Sequence, residues 1–219
     1  MITFDKVTKV YQKDWIALDS ISFEVQKGEF IFITGPTGAG KSTIIKLIYK
    51  EEEPTKGTIK VLDNNLHFLK QNKIPEFRRK IGVIFQDFKL LPDRTVEENV
   101  AFALEVTDIP PRDLKKKVFD ILTYVRLSHK KFNYPYQLSG GEQQEVAIAR
   151  ALVRDPYILL ADEPTGNLDL KSSQEVLEIL LDINYKGTTI LMASHNQLLV
   201  RKAKKRIIHL QDGKMISDK

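Results

Sequence analysis

The stretch that decides the fold of this chain is Gly35-Pro36-Thr37-Gly38-Ala39-Gly40-Lys41-Ser42. Before it stands a short apolar run, Phe30 to Thr34, and after it an apolar-periodic segment from Ser42 to about Tyr49. These patterns predict a buried strand, a loop and a helix in that order. Glycines let backbone N–H groups approach phosphate oxygens, and a helix N-terminus favours the same anions. The stretch therefore predicts a phosphate-binding loop.

The rest of the sequence repeats this alternation of strand and helix. The amphipathic segment from Lys171 to Tyr185 predicts a helix that stops at Gly187. Asp212-Gly213 predicts the turn of a terminal hairpin. The segment Val7–Val25 predicts two strand-like stretches around a polar turn, the second of them including Ile21–Val25. The further predicted strands are Gly57–Leu62, Ile81–Phe85, Tyr157–Ala161, Thr188–Ala193, Arg206–Leu210 and Met215–Ser217.

Residues 88–155 interrupt this alternation with a pattern typical of helices. We therefore expect an α/β fold of the P-loop NTPase type, with a parallel-sheet core, an N-terminal antiparallel β subdomain and an inserted α-helical subdomain. The expected organisation is one domain, 1–219. Its core and β subdomain take 1–87 and 156–219, and its helical subdomain takes 88–155.

Two adjacent carboxylates, Asp162 and Glu163, end the apolar run at 158–161. Successive residues of a strand point to opposite faces, so the two acids cannot perform the same task. Asp162 suits a place beside a Mg²⁺ ion, together with the Ser42 hydroxyl. Glu163 suits the role of general base, which deprotonates an attacking water. Beside the phosphate loop, the pair predicts hydrolysis of a nucleoside triphosphate.

A second glycine-rich segment, residues 138–144, opens another predicted helix. Ser139, Gly140 and Gly141 at its start form an anion-binding nest. This nest has no lysine, and one chain needs only one phosphate loop per nucleotide. We therefore expect it to contact the γ-phosphate of a nucleotide held by another subunit. For a bare Ser-Gly-Gly, a helix N-cap with flexible glycines is the alternative.

Together these motifs resemble the ATP-binding-cassette ATPases over the whole chain. Gln86 is similar to the Q-loop glutamine of that family, and His195 to its switch histidine. Asn167-Leu168-Asp169 resembles the D-loop, and Tyr11 resembles the aromatic residue that stacks on adenine.

The resemblance implies roles for individual residues. Glu163, His195 and Gln86 are the implied catalytic residues, while Ser42, Gln86 and Asp162 are the implied metal ligands. The implied nucleotide-binding residues are Tyr11, Gly35, Pro36, Thr37, Gly38, Ala39, Gly40, Lys41, Ser42, Thr43, Ser139, Gly140, Gly141 and Gln143. ATP and Mg²⁺ are the implied ligands, and ADP and phosphate the products. The family also implies a head-to-tail homodimer with ATP at its interface, closed by ATP and released by hydrolysis.

Residues 82–96 and 98–102 resemble the bacterial cell-division branch of the family. That resemblance implies an integral membrane partner and a peripheral place on the cytoplasmic face of the plasma membrane. ATP turnover would then activate cell-wall hydrolases. An ATPase subunit of a lipoprotein-releasing or macrolide-type exporter remains an alternative, because residues 161–169 are common to both groups. Cassette proteins that act on DNA or ribosomes usually have tandem cassettes or a coiled-coil insertion, so no nucleic-acid partner is expected.

Composition excludes several other classes. The chain has 219 residues and no cysteine, which rules out a disulfide framework and a cysteine metal site. Its first residues show no signal-peptide pattern, and its apolar runs are shorter than the roughly 18 residues of a membrane span. A net charge of +5 fits a solvated, lysine-rich surface. We therefore expect the chain to reach a membrane only through a partner.

Two local features stand apart from the family pattern. Glu145 follows Gln143-Gln144, where relatives usually have arginine, and we expect this reversal of charge to slow hydrolysis. Apolar residues in the predicted surface loop at 85–91, Phe88 among them, indicate a docking groove for the membrane partner. Packing of these residues beneath the helical segment is the alternative.

Overall fold

A computed structural model describes residues 1–105 and 109–219, apart from the side chain of Lys13. The described strands are β1 (Ile2–Val10), β2 (Ile16–Val25), β3 (Phe30–Thr34), β4 (Lys56–Val61), β5 (Asn64–Asn65), β6 (Ile81–Ile84), β7 (Ile158–Asp162), β8 (Thr189–Ala193), β9 (Arg206–Gln211) and β10 (Lys214–Asp218). Over these residues, one sheet has the order β2-β1-β4-β5 and is antiparallel. The other has the order β10-β9-β3-β8-β7-β6 and is parallel except at β10.

The helices of the described chain surround the parallel sheet. They are α1 (Lys41–Ile48), α2 (Ile74–Arg78), α3 (Val96–Glu105), α4 (Pro111–Tyr124), α5 (Gly140–Leu152), α6 (Leu170–Tyr185) and α7 (Gln197–Ala203). Thr95 and Glu98, spaced as a capping box before α3, bond reciprocally: the Thr95 N–H donates to the Glu98 carboxylate, and the Glu98 N–H to the Thr95 hydroxyl. None of the helices in the described ranges is long and apolar enough to cross a membrane.

The central strands are apolar throughout because both faces of the parallel sheet are buried. On β3, Phe30 and Phe32 join a core that also contains residues of α3 to α6. The alternate residues Ile31 and Ile33 join a second core with α1 and the antiparallel sheet. The strand period of two thus divides one apolar run between two cores.

The predicted fold class is confirmed: an antiparallel N-terminal sheet, a parallel core, and helices between β6 and β7. The predicted strands agree with the observed ones to within a few residues at each end, except that β1 and β2 each begin five residues earlier than predicted, at Ile2 and Ile16. The short elements β5, α2 and α7 are not predicted, because two, five and seven residues are too few to show a period. The subdomain boundaries at 87/88 and 155/156 stay predictions, and residues 106–108 of the predicted helical segment lie outside the described residues.

Candidate nucleotide-binding and catalytic site

The phosphate loop and the three predicted catalytic side chains converge because they follow the carboxyl ends of neighbouring parallel strands. Ile33 of β3 pairs with Ala193 of β8, and Asp162 of β7 pairs with the same residue. The ends of these strands are therefore level, and β6 ends beside β7. The phosphate loop, Gln86, Glu163 and His195 come together at this edge, where open α/β sheets bind ligands.

The phosphate loop takes a backbone path that requires glycine at two positions. Gly35 has a φ of 145°, and a Cβ there would lie 2.2 Å from the Leu210 carbonyl oxygen. Gly40 has a φ of 101°, and a Cβ there would lie 2.5 Å from the Ala17 carbonyl oxygen. No side chain fits at either place. Helix α1 begins directly after Gly40, so its N-terminus faces the loop.

Lys41 is buried at the centre of the loop. Its Nζ donates hydrogen bonds to the carbonyl oxygens of Gly35 at 2.9 Å and Pro36 at 3.0 Å. The same nitrogen lies 3.4 Å from Oε1 of Glu163. A buried ammonium group needs such partners, and they hold it where phosphate oxygens would enter.

The Ser42 hydroxyl donates a hydrogen bond to Oδ1 of Asp162 over 2.9 Å. This contact joins the phosphate loop to the end of β7, 120 residues further along the chain. Burial raises the pKa of Asp162, the hydrogen bond from Ser42 lowers it, and the nearby Glu163 carboxylate raises it; the net direction is upward. A carboxylate that lacks water in this way favours a cationic partner.

Glu163 is held between Lys41 and His195. Its Oε2 accepts a hydrogen bond from the His195 backbone N–H at 3.2 Å and lies 2.9 Å from the His195 Nδ1. With Oε1 near Lys41, the carboxylate is held at both oxygens. Its backbone φ of 48° is left-handed, which is uncommon for a glutamate. Strained backbone of this kind clusters at functional sites.

Gln86 approaches this site from β6. The Asn167 side-chain amide donates to the Gln86 carbonyl oxygen over 3.2 Å. The side-chain amide nitrogen of Gln86 lies 3.3 Å from the position that a Cβ on Gly166 would take. The predicted Q-loop and D-loop segments therefore contact each other.

These residues enclose a groove of about 340 Å³. Its lining residues are Trp15, Thr37, Gly38, Gly40, Lys41, Ser42, Thr43, Gln86, Glu163 and His195. Gly35 and Pro36 line a neighbouring cavity of about 470 Å³, which shares His195 with the groove. Ala39, although part of the loop, is buried beneath it.

Tyr11 does not line this groove, whereas Trp15 does. The two rings stack on each other, with centroids 5.3 Å apart. The motif comparison does not predict Trp15. The only sign of it in the sequence is an aromatic residue four positions after Tyr11, next to a polar turn.

The segment at 138–144 lies outside the groove lining. Ser139 is the N-cap of α5, and its hydroxyl accepts from the Glu142 N–H. A Cβ on Gly140 would lie 3.4 Å from Leu168, and one on Gly141 would lie 3.0 Å from the Ser172 hydroxyl. This segment therefore packs beside the start of α6 and leaves Ser139 exposed. Gln143 donates its side-chain amide to the carbonyl oxygen of Leu138.

Glu145 lies one turn further along the same helix, in a cavity of about 310 Å³ between α4, α5 and α6. Burial, followed by the Glu175 and Glu142 carboxylates, raises its pKa to about 7, against the lowering effect of Arg126 and Lys130. The lining residues are Tyr124, Arg126, Glu145, Glu175, Glu178, Ile179 and Asp182.

The fold and groove define a P-loop ATPase, and a family model described as ABC transporter matches residues 18–166. The chain belongs to this family, whose domains bind and hydrolyse ATP. Over 218 residues it is 52% identical to the cell division ATP-binding protein FtsE of Bacillus subtilis (strain 168), covering 100% of this chain and 96% of that relative. The predicted resemblance to the cell-division branch is thereby confirmed.

Two solved structures share the fold over the whole chain. The dimeric structure of a bacterial ABC transporter cassette has a TM-score of 0.90 and 35% identity, covering 100% of this chain and 98% of that one. A dimeric cassette in a post-hydrolysis state bound to ADP and Pi has a TM-score of 0.89 and 34% identity, with the same coverage.

Proposed function

We propose that this chain is the ATP-hydrolysing subunit of a cell-division complex with an integral membrane partner resembling FtsX. It lies on the cytoplasmic face of the plasma membrane and couples ATP turnover to the activation of cell-wall hydrolases. Its similarity to FtsE over the full chain supports the cellular role. The single observation that carries the chemistry is the contact of Glu163 with both Lys41 and His195.

In this proposal each polar group of the groove has a separate task. Lys41 exchanges its carbonyl partners for phosphate oxygens and neutralises their charge. Glu163 accepts a proton from the attacking water as general base. His195 holds the Glu163 carboxylate and donates to the γ-phosphate, so loss of that phosphate changes its hydrogen bonds. Gln86 helps to orient the water from the opposite side.

The donor groups present also fit Mg²⁺. The Ser42 hydroxyl, the Asp162 carboxylate and the Gln86 amide oxygen are hard oxygen ligands, which this ion prefers. Within the described ranges, no group of three or more His, Cys, Asp or Glu residues forms an all-protein metal site. Nucleotide-associated Mg²⁺ uses only one or two carboxylates together with phosphate oxygens and water. When bound, the ion supplies positive charge against the phosphates.

The active form in this proposal is a homodimer with two ATP molecules at its interface. Ser139, Gly140 and Gly141 lie outside the groove of their own chain and so are free to meet the nucleotide of the second copy. The dimeric state of two structural neighbours supports this arrangement. Tyr11, Gln143 and the remaining loop residues contribute to nucleotide binding.

The substitution Glu163→Gln tests the proposal. The amide keeps the shape of the side chain but does not accept a proton, so ATP should still bind and hold the dimer closed. Hydrolysis should fall by a factor of about 10² to 10⁴. Phosphate release and size-exclusion chromatography with ATP measure the two effects. Glu24→Gln, on the exposed side of β2, is the matched control, and hydrolysis near the parent rate in Glu163→Gln would refute the assignment.

A further inference from the structure

Gln86 stands just beyond the end of its strand, so strand pairing does not fix its backbone. The last pair between β6 and β7 joins Ile84 to Ala161, two residues before Gln86. From Gln86 onward the chain turns, and Phe88 already has a left-handed φ of 57°. A side chain that faces a groove from such a turn needs another element to hold its backbone.

Asn167 supplies this hold. Its side-chain amide donates to the carbonyl oxygen of Gln86 over 3.2 Å, across 81 residues of sequence. The neighbouring Gly166 lies against the Gln86 side chain, because a Cβ on Gly166 would stand 3.3 Å from the amide nitrogen and 3.7 Å from the amide carbon. Two successive residues therefore contact Gln86, one at its backbone and one at its side chain.

The turn that carries Asn167 is itself fixed. The Gly166 N–H donates to the Glu163 carbonyl oxygen at 3.0 Å, and the Leu168 N–H donates to the carbonyl oxygen of Thr165 at 3.3 Å. Thr165 is buried, and Leu168 packs against the core formed with α3 to α6. The Asn167 amide is thus held by a rigid turn that begins at Glu163, the proposed general base.

We propose that Asn167 is a positioning residue that holds Gln86 at the groove which Glu163 also lines. This inference rests on the proposed function, in which Gln86 orients the attacking water and offers its amide oxygen to Mg²⁺. Asn167 itself does not line the groove, so it acts through the backbone of Gln86. A misplacement of about 1 Å in a group that orients reactants can lower a rate about a hundredfold.

Asn167→Ala removes the amide donor and is the first test. The kcat of ATP hydrolysis should fall about tenfold, because the Gln86 side chain loses its fixed support. The affinity for a non-hydrolysable ATP analogue should stay within about twofold of the parent value, because Lys41 and the phosphate loop are unchanged. Phosphate release at saturating ATP and Mg²⁺ measures kcat, and calorimetry measures the affinity.

The same substitution in the Gln86→Ala background separates positioning from any other role of Asn167. Gln86→Ala keeps the backbone carbonyl but removes the side chain that Asn167 positions. Asn167→Ala should therefore change kcat by less than about twofold in this background.

Gly166→Ala provides a second, independent variant. Its added methyl group would stand 3.3 Å from the Gln86 amide nitrogen, which is close enough to displace the amide. It should lower kcat in the parent chain and leave kcat unchanged in the Gln86→Ala background.

Asn65→Ala is the matched control. The Asn65 side chain also makes a local hydrogen bond, from the His67 N–H at 3.1 Å, and it lies outside the groove lining. This variant should keep the parent kcat in both backgrounds. Urea denaturation verifies that every variant is folded.

The outcomes separate this inference from the proposed function. A loss of kcat in Asn167→Ala that disappears in the Gln86→Ala background supports the positioning role. An equal loss in both backgrounds assigns Asn167 a task elsewhere, such as at the subunit interface, and overturns the inference. Parent-like hydrolysis by Asn167→Ala, when Gln86→Ala is slow, also overturns it and leaves the proposed role of Gln86 intact. Parent-like hydrolysis by Gln86→Ala overturns that role and this inference with it, and a parent chain without ATPase activity overturns the proposed function itself.

Discussion

At the scale of single residues, Glu145 stands in a cavity that it shares with three other carboxylates, those of Glu175, Glu178 and Asp182. Its pKa is raised to about 7 from an ordinary 4.5, mainly by burial and then by Glu175 and Glu142. A raised carboxyl pKa means that the unfolded chain ionises first as pH rises. The destabilisation of the folded state by ionised Glu145 is therefore absent below about pH 4.5. It grows between pH 4.5 and pH 7 and is complete above pH 7.

Glu145→Gln should consequently stabilise the protein at pH 8 and have little effect near pH 4.5. We expect a gain of about 1 kcal/mol at the higher pH, after allowance for solvent screening of a part-buried group. Urea denaturation at several pH values measures it, with Glu24→Gln as the control. An equal effect at both ends of the range would contradict the electrostatic cause.

At the scale of elements, the loop between β6 and α3 shows a strained turn held by one arginine. Phe88 and Lys89 have φ values of 57° and 51°, both left-handed. Arg150 of α5 donates to their carbonyl oxygens at 2.8 and 2.5 Å. Leu90 packs against the core formed with α3 to α6. This agrees with the alternative to a docking groove, in which the apolar residues of the loop pack beneath the helical segment. Phe88 remains part-exposed, so the docking hypothesis depends mainly on this residue.

Phe88→Asp should abolish co-purification with the membrane partner while ATP binding remains. Aspartate accepts a left-handed backbone more readily than phenylalanine, so the turn itself should persist. Pull-down from detergent-solubilised membranes and calorimetry with ATP give the two readouts. Phe68→Asp, at a ring that is 75% exposed beside β5, is the control. Undiminished co-purification of the Phe88 variant would exclude this loop as the docking surface.

At the scale of the whole molecule, the two anion-binding segments lie in different places. Lys41 is buried in the groove, whereas Ser139 is exposed beside the start of α6. In the proposed dimer each ATP needs Lys41 from one chain and Ser139 from the other. Each chain then carries two half-sites, and the exposed half completes a nucleotide site only in the other subunit.

Mixing two inactive variants tests this division of labour. Lys41→Ala and Ser139→Arg should each be nearly inactive alone, but a mixed dimer has one site with both halves intact. With random pairing, half of the dimers are mixed and one of their two sites works, so about a quarter of parent activity should return. Phosphate release from the refolded mixture measures it. Continued inactivity would mean that each chain builds its site alone.

Much of the site follows from sequence because its parts are local. Gly35 to Ser42 needs only its own backbone freedom and the adjoining strand and helix to form a phosphate loop. The pair Asp162-Glu163 likewise needs only the end of an apolar strand. Level parallel strands then bring these parts together with Gln86 and His195.

The sequence by itself determined the α/β class, the order of the elements and the chemical groups of the site, since periodicity and glycine spacing encode these locally. Only the tertiary structure decided that Trp15 rather than Tyr11 lines the groove, that Leu90 packs inward, and that Glu145 stands among carboxylates. Each of these features depends on how side chains from distant segments pack against one another, and the spacing of residues along the chain does not predict such packing.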